Sequence, residues 1–420
     1  MSNYHFLERR LARILKKFPG FQRIKSLYQG VNYLLFGKQS VPSVVDTAVL
    51  QAEIDEPRDF FFGYYDKSPW SRDGNSVLYH RVAENKNEVE IVRRNLSTNE
   101  TCVLGTTEAW NWQQGAMTQW LPGHDRLAVF NRLSENHSLI AEIRNSDNAE
   151  WIKQLPMPIQ TLRKDGQAAI SLNYRRLAAL RPDYGYCCEA TNFSPDQPDD
   201  KDGLFYLDME SGRTELIVSL EKLKTLHDFP LLGNPRHKVN HAMYAPSGNR
   251  LAFMHRCMHS RGKKSRLYVV RDDGTGLKLI HDEGGVSHYS WRNESSLICF
   301  CQTLADGYGY YTIDVDTGQK TPLAKSLWPY GDGHPSQSPC GGYMITDTYP
   351  DRSRMQHLFL YDLAKDQVKE LGCFFSALRF RAEKRCDLHP RWSPDGQFVS
   401  LDTTDTGKRK MRILDISNIF

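Results

Sequence analysis

Four histidines stand at the same place in four short repeats: His241 in "NHAMYAPSG", His288 in "SHYSWRNES", His334 in "GHPSQSPCG" and His389 in "LHPRWSPDG". Imidazole binds Mn, Zn, Fe and related metals as a neutral ligand, and it accepts a proton near neutral pH. A single histidine beside a turn is ordinarily a polar cap, but four in register bring imidazoles to one point. His241, His288, His334 and His389 are therefore the expected metal ligands, with His241 or His288 also open as a general base. Arginines accompany them: Arg256 in "FMHRC", Arg352 in "YPDRSR", Arg385 and Arg391 on either side of His389, and Arg175, Arg176 and Arg181 in "LNYRRLAALRPDYGY". Guanidinium groups pair with carboxylates in a bidentate way, so the set suits an anionic ligand. Tyr64, Tyr65, Tyr289 and Tyr349 lie beside the same registers, placed to donate a proton or stack on a sugar. Paired carboxylates, which a glycoside hydrolase needs, are not supplied by the repeated position, although Asp66, Asp332 and Asp387 lie just upstream of it.

The histidines belong to a longer series. "KSPWSRDG" opens at Lys67, "MTQWLPGH" at Met117, "IQTLRKDG" at Ile159, "HAMYAPSG" at His241, "HYSWRNES" at His288, "HPSQSPCG" at His334 and "HPRWSPDG" at His389. Successive openings lie 42 to 55 residues apart, the length of a four-stranded propeller blade, except for a longer interval from 159 to 241 that has room for an insertion. Each turn leads into short apolar strands such as "RLAFMHRC", "YMITDTYP" and "FVSLDTTD", with no long helices between them, which argues against a βαβ architecture. The expected fold is all-β, a seven-bladed propeller over residues 41–420. The chain stops at "MRILDISNIF", a third strand without its fourth, and "AVLQAEID" upstream is expected to close the ring. The residue opening each innermost strand faces the channel mouth, giving a ring of Lys67, Met117, Ile159 and the four histidines. Tyr244, Trp291 and Trp392, three residues on, are assigned to packing between blades.

Bulk properties narrow the function classes. A chain of 420 residues with 40% hydrophobic and 25% charged residues is globular, and a net charge of +4 makes no general case for nucleic acid. Nine cysteines, an odd number without a C-x-x-C pair, point to free thiols in a reducing compartment. No stretch has the length of a membrane span, and the amino terminus lacks a secretory h-region, so a cytoplasmic location is expected. Residues 1–40 form a separate segment. Arg9, Arg10, Arg13, Lys16, Lys17, Arg23, Lys25 and Lys38 face one acid, Glu8, and apolar residues recur with helical period on both sides of Pro19-Gly20. Two basic amphipathic helices are expected there, suited to a membrane surface or a protein partner through residues 1–38.

The stretches "NHAMYAPSGNRLAFMHR", "SHYSW", "GHPSQSPCGGYMITDTYPD" and "CDLHPRWSPDG" resemble the oligogalacturonate-lyase and ulvan-lyase group of seven-bladed propellers, and more distantly the propeller of TolB. The resemblance covers roughly residues 55–420 and leaves out the basic amino-terminal segment. It implies β-elimination on a uronate-containing glycan, in capsule or surface polysaccharide metabolism, with a divalent metal (Mn or Zn) and no organic cofactor. In oligogalacturonate lyases, histidines and a glutamine hold manganese; here the histidines sit one per blade rather than in one local Gln/His motif. The residues fit the chemistry. A 4-linked uronate is eliminated by neutralising its carboxylate, removing the C5 proton and protonating the leaving oxygen. His241 or His288 is the expected base, Arg256, Arg385 or Arg391 the carboxylate partner, and Tyr289 or Tyr349 the acid. Lys67, Arg352 and Arg176 complete the expected substrate contacts. The alternative is a non-catalytic glycan-binding or scaffold propeller in a cytoplasmic polysaccharide-assembly complex.

Overall fold

In the computed structural model, which describes residues 21–36, 44–46, 50–186, 188, 193–194, 199–226, 236–259 and 262–419, the repeats form seven antiparallel sheets arranged as a propeller. Blade 1 comprises Phe60–Phe61, Ser76–Val82, Val89–Asn95 and Thr101–Thr107; blade 2, Gln119–Trp120, Leu127–Leu133, Leu139–Asn145 and Trp151–Leu155. Blade 3 comprises Thr161–Leu162, Ala168–Ser171, Gly203–Asp208 and Thr214–Ser219; blade 4, Arg236–Tyr244, Leu251–His259, Gly262–Val270 and Lys278–His281. Blade 5 comprises Val286–Asn293, Ser296–Thr303, Gly307–Asp314 and Lys320–Leu323; blade 6, Ser336–Gln337, Tyr343–Asp347, Met355–Asp362 and Gln367–Phe375. Blade 7 has Arg391–Trp392, Phe398–Thr403 and Lys410–Asp415, and Leu50–Glu53 supplies its fourth strand with Leu50 opposite Asp415 and Glu53 opposite Arg412. The expected closure is therefore present. Val44–Val45 goes further and adds a fifth strand to blade 6, with Val44 opposite Cys373.

The second strand of blade 5 is sandwiched between two apolar layers and is apolar on both faces. Along Ser296–Thr303, Leu297, Cys299 and Cys301 pack in one cluster with Tyr289, Trp291 and Tyr311. The alternate residues Ile298 and Phe300 pack the other way, with Met344 and Phe359 of blade 6. This is the period-two alternation of a strand turned into two buried faces. The turn aromatics bridge neighbours: the Nε1–H of Trp120, Trp291 and Trp392 donates to Pro69 O (2.8 Å), Met243 O (3.1 Å) and Ser336 O (3.2 Å) of the preceding blade.

The long interval of the sequence holds an insertion in blade 3. After Ala168–Ser171 the chain makes the helix Tyr174–Leu180, capped by Asn173 through Arg176 N–H (3.0 Å), and the 3-10 turn Pro182–Tyr184. Proline after Arg181 ends the helix. Of the amino-terminal segment, the helix Phe21–Phe36 is described; the first expected helix and the 40/41 boundary lie outside the described residues.

The closing strand gives a first prediction. Deleting residues 1–38 should leave the thermal transition in place. Deleting residues 1–53 should destabilise the propeller by about 4 kcal/mol, taking about 1 kcal/mol for each of four ladder positions. Circular-dichroism melts of the two truncations check this, and equal melting would refute the seam.

Candidate active site at the histidine end of the channel

The inner strands deliver all four histidines to one end of the channel. The rings of His288 and His334 are 4.1 Å apart and those of His334 and His389 4.3 Å. His241 joins them through Tyr64, whose ring is 5.1 Å from His241 and 5.0 Å from His389, and through Tyr65, 5.5 Å from His241 and 5.1 Å from His334. All four imidazoles are buried. His241 and His389, with Met117 at the same register, hold left-handed φ angles of 55°, 47° and 53°. For non-glycine residues that strain amounts to about 1–3 kcal/mol each and collects at functional sites.

Three of the histidines are fixed through Nδ1. His288 Nδ1 meets Asp332 Oδ1 at 2.9 Å, His334 Nδ1 meets Asp347 Oδ1 at 2.7 Å, and His389 Nδ1 meets Gly63 O at 2.8 Å. Asp347 also accepts the backbone N–H of His334 (2.8 Å) and of His389 (3.0 Å), so one buried carboxylate holds the His334 ring and the backbone of both histidines. Gly63 must be glycine, since at its φ of 124° a Cβ would lie 2.8 Å from the Gln114 carbonyl carbon. The Nε2 atoms of His334 and His389 are buried without a hydrogen-bond partner. A ring nitrogen of each histidine and the Asp387 carboxylate lie within 4.8 Å of one another, with His389 Nε2 3.9 Å from Asp387 Oδ2. Nδ1 anchored and Nε2 free is the arrangement that prepares an imidazole for a metal.

His241 differs. Both its nitrogens are buried and lack hydrogen-bond partners, with Asp66 Oδ2 3.8 Å from Nε2. Burial, with help from His288, Lys67 and Arg256, holds it well below the ordinary imidazole value, so it is neutral. Burial does the same to His389 and lowers His288. At His334 burial also pulls down, but the Asp347 carboxylate overcomes it and the net shift is upward.

Around this cluster stand cations with few counter-charges. Arg256 is buried, its Nε lacks a partner, and burial and the neighbouring Arg181 lower its pKa. Lys238 lies opposite it on the paired strand, and burial, then Arg256 and Arg181, push its ammonium well below the usual lysine value. Arg181 lies over the Tyr184 ring (4.6 Å) with Asp183 at 3.8 Å. On the other side Arg385 reaches Asp387 at 2.8 Å and lies over the Tyr349 ring at 5.2 Å. Tyr349 itself is 5.7 Å from His334, with its hydroxyl held protonated, chiefly by burial.

Other expected contacts have different surroundings. Tyr289 stacks on His241 (4.5 Å), but its hydroxyl donates to the carbonyl oxygens of His241 and Ala252, beneath the cluster. Arg391 donates to Gly63 O (2.9 Å) and pairs with Asp402, tying blade 7 to blade 1. Arg176, a residue of the insertion helix, is held by Asp202 and Asp199. Lys67 pairs with Asp66 at 2.6 Å. Lys67 and Arg391 border a cavity of about 460 Å³ in which Trp70, Trp120, Trp291 and Trp392 also take part. Arg352 lies half-buried in the turn before Met355–Asp362. Of the four expected metal ligands, His334 and His389 meet Asp387, while His241 and His288 stand outside that group.

Similarity to solved structures follows this geometry. An oligogalacturonate lyase from Vibrio parahaemolyticus superposes with a TM-score of 0.59 at 14% identity, over 89% of this chain and 96% of that one. An oligogalacturonate lyase in complex with manganese gives 0.62 at 14% identity, over 90% and 98%. The fold is shared with oligogalacturonate lyases. TolB from Acinetobacter baumannii lies further off, at 0.43 and 13% identity over 82% and 79%. No family model and no curated protein matches the chain.

Proposed function

We propose that the protein is a lyase that cleaves a uronate-containing oligosaccharide by β-elimination at the histidine end of the channel. One observation carries the reading: a neutral His241 without a hydrogen-bond partner lies near buried Arg256, and neither Arg256 nor Lys238 opposite it has an ion-pair partner among the described residues. A buried cation is costly until it meets an opposite charge, and a uronate carboxylate supplies one. Arg256, Lys238 and Arg385 would take the carboxylate. His241 removes the C5 proton, the C4–O bond breaks as the C4–C5 double bond forms, and Tyr349 returns a proton to the leaving oxygen.

The likeness to a manganese-bound lyase raises the question of a metal here. The donors fit one: His334 Nε2, His389 Nε2 and an Asp387 oxygen are gathered, anchored from behind and otherwise unpartnered, save that Arg385 shares Asp387. These three would hold a divalent cation such as Mn or Zn. Bound there, it would supply a Lewis acid that stabilises the negative charge developing on the uronate carboxylate.

Incubating the purified protein with galacturonate, glucuronate, mannuronate and guluronate oligosaccharides, with and without Mn²⁺ or Zn²⁺, tests the proposal. The expected result is the ultraviolet absorbance of a 4,5-unsaturated uronate. Saturable binding across the panel with no absorbance would overturn it in favour of a glycan-binding propeller.

A further inference from the structure

The helix Phe21–Phe36 turns an apolar face outward. Leu27, Val31, Leu34 and Leu35 are 72%, 45%, 83% and 68% exposed, and Tyr28 is 39% exposed. At about 100° per residue these five positions fall on an arc of about 120°. Exposed arcs of that kind mark a surface that something covers. The helix contains Arg23 and Lys25 and no acidic residue. Charge is distributed in the same sense along the whole chain: eight of the 54 basic residues and one of the 50 acidic ones fall in residues 1–38. The remaining residues carry 46 basic against 49 acidic groups, so the positive charge of the protein is concentrated in the stretch of sequence that contains this helix.

We propose that the helix Phe21–Phe36 lies flat in the interface of an anionic lipid surface, its leucine arc toward the acyl chains and the neighbouring cations on the headgroups. A lipid surface satisfies the apolar arc and the excess of cations together. Sixteen residues span about 24 Å at 1.5 Å per residue, short of the roughly 30 Å hydrocarbon core, which sets the helix in the plane rather than across it. The tether is short: residues 37–43 separate the helix from Val44–Val45, which is paired into blade 6. A helix on the surface would hold the propeller close to it. This inference is independent of the lyase reading.

Sedimentation of the full chain with vesicles tests it, using phosphatidylcholine alone and phosphatidylcholine with about one quarter phosphatidylglycerol. The full chain is expected to sediment with the anionic vesicles, less so as salt rises from about 0.05 M to about 0.5 M. Leu27→Asp with Leu34→Asp is expected to lower the binding constant for the vesicles about tenfold or more, while the circular-dichroism melt of the propeller stays unchanged. Three outcomes would overturn the proposal: no sedimentation of the wild type with anionic vesicles, equal sedimentation of the double variant, or a wild-type oligomer that the double variant converts to monomer without any vesicle binding. The last would assign the face to a second copy of the chain.

Discussion

Asp347→Ala is expected to destabilise the protein by about 3–5 kcal/mol, because three buried donors lose one shared acceptor and each unsatisfied donor costs about 1–3 kcal/mol. Asp347 is 1% exposed, and its two oxygens accept three hydrogen bonds: His334 Nδ1, His334 N and His389 N. Without them the raised His334 imidazole loses its counter-charge, and two backbone N–H groups are left buried and unpaired. The same change frees the His334 ring and the backbone that carries His389, so affinity for added Mn²⁺ should fall about 10–100-fold, as for other residues that orient metal ligands. Asp347→Asn tests the assignment more finely. It keeps one acceptor, so it should recover part of the melting temperature while remaining poor in metal affinity. Thermal melts together with Mn²⁺ titration of both variants check this. Wild-type metal affinity in Asp347→Ala would remove Asp347 from the positioning of the site.

Asp347 also shows what the sequence made legible and what it hid. The seven repeats, the four histidines in register, the indoles between blades and the closing strand all follow from periodicity and turn chemistry, which are local signals. The role of Asp347 follows from a second register that recurs in four of the seven blades. It is the fifth residue of the second strand of its blade, as are His80, Asn131 and Asp402 of theirs. Each accepts a backbone N–H from the next blade near its inner strand: Ala116 to His80 (2.9 Å), Ile159 to Asn131 (2.7 Å), His389 to Asp347 (3.0 Å), and Phe62 and Gly63 to Asp402 (3.1 Å). Aligning the second strands "SVLYH", "LAVFN", "YMITD" and "FVSLD" exposes this column of polar residues at the end of apolar runs. Lys238 had no such signal, because its burial beside Arg256 depends on the pairing of two strands of blade 4 that extends beyond the register of the other inner strands. Arg391 and Arg176 misled for the converse reason: an arginine near the site in sequence carries no mark of the carboxylate, Asp402 or Asp202, that engages it in the fold.

His241→Ala is expected to lower kcat about 10²–10⁴-fold, the usual contribution of a general base, with little loss of stability. The two effects part company for a physical reason. A buried imidazole with both nitrogens unpartnered costs the fold about 1–3 kcal/mol in desolvation. Removing it relieves that cost, which offsets the loss of its ring packing against Tyr64, Tyr65 and Tyr289. A histidine serving only the fold would show the opposite pattern, with melting temperature and activity falling together. The pH profile adds a second readout. Burial keeps the His241 imidazole neutral below the ordinary histidine range, and a base acts in its unprotonated form. The acid limb of kcat should therefore lie below about pH 6.5, the reference value for an unperturbed imidazole. A limb at or above that value, or a His241→Ala variant that melts several degrees lower yet retains its turnover, would take the proton-abstracting role away from His241.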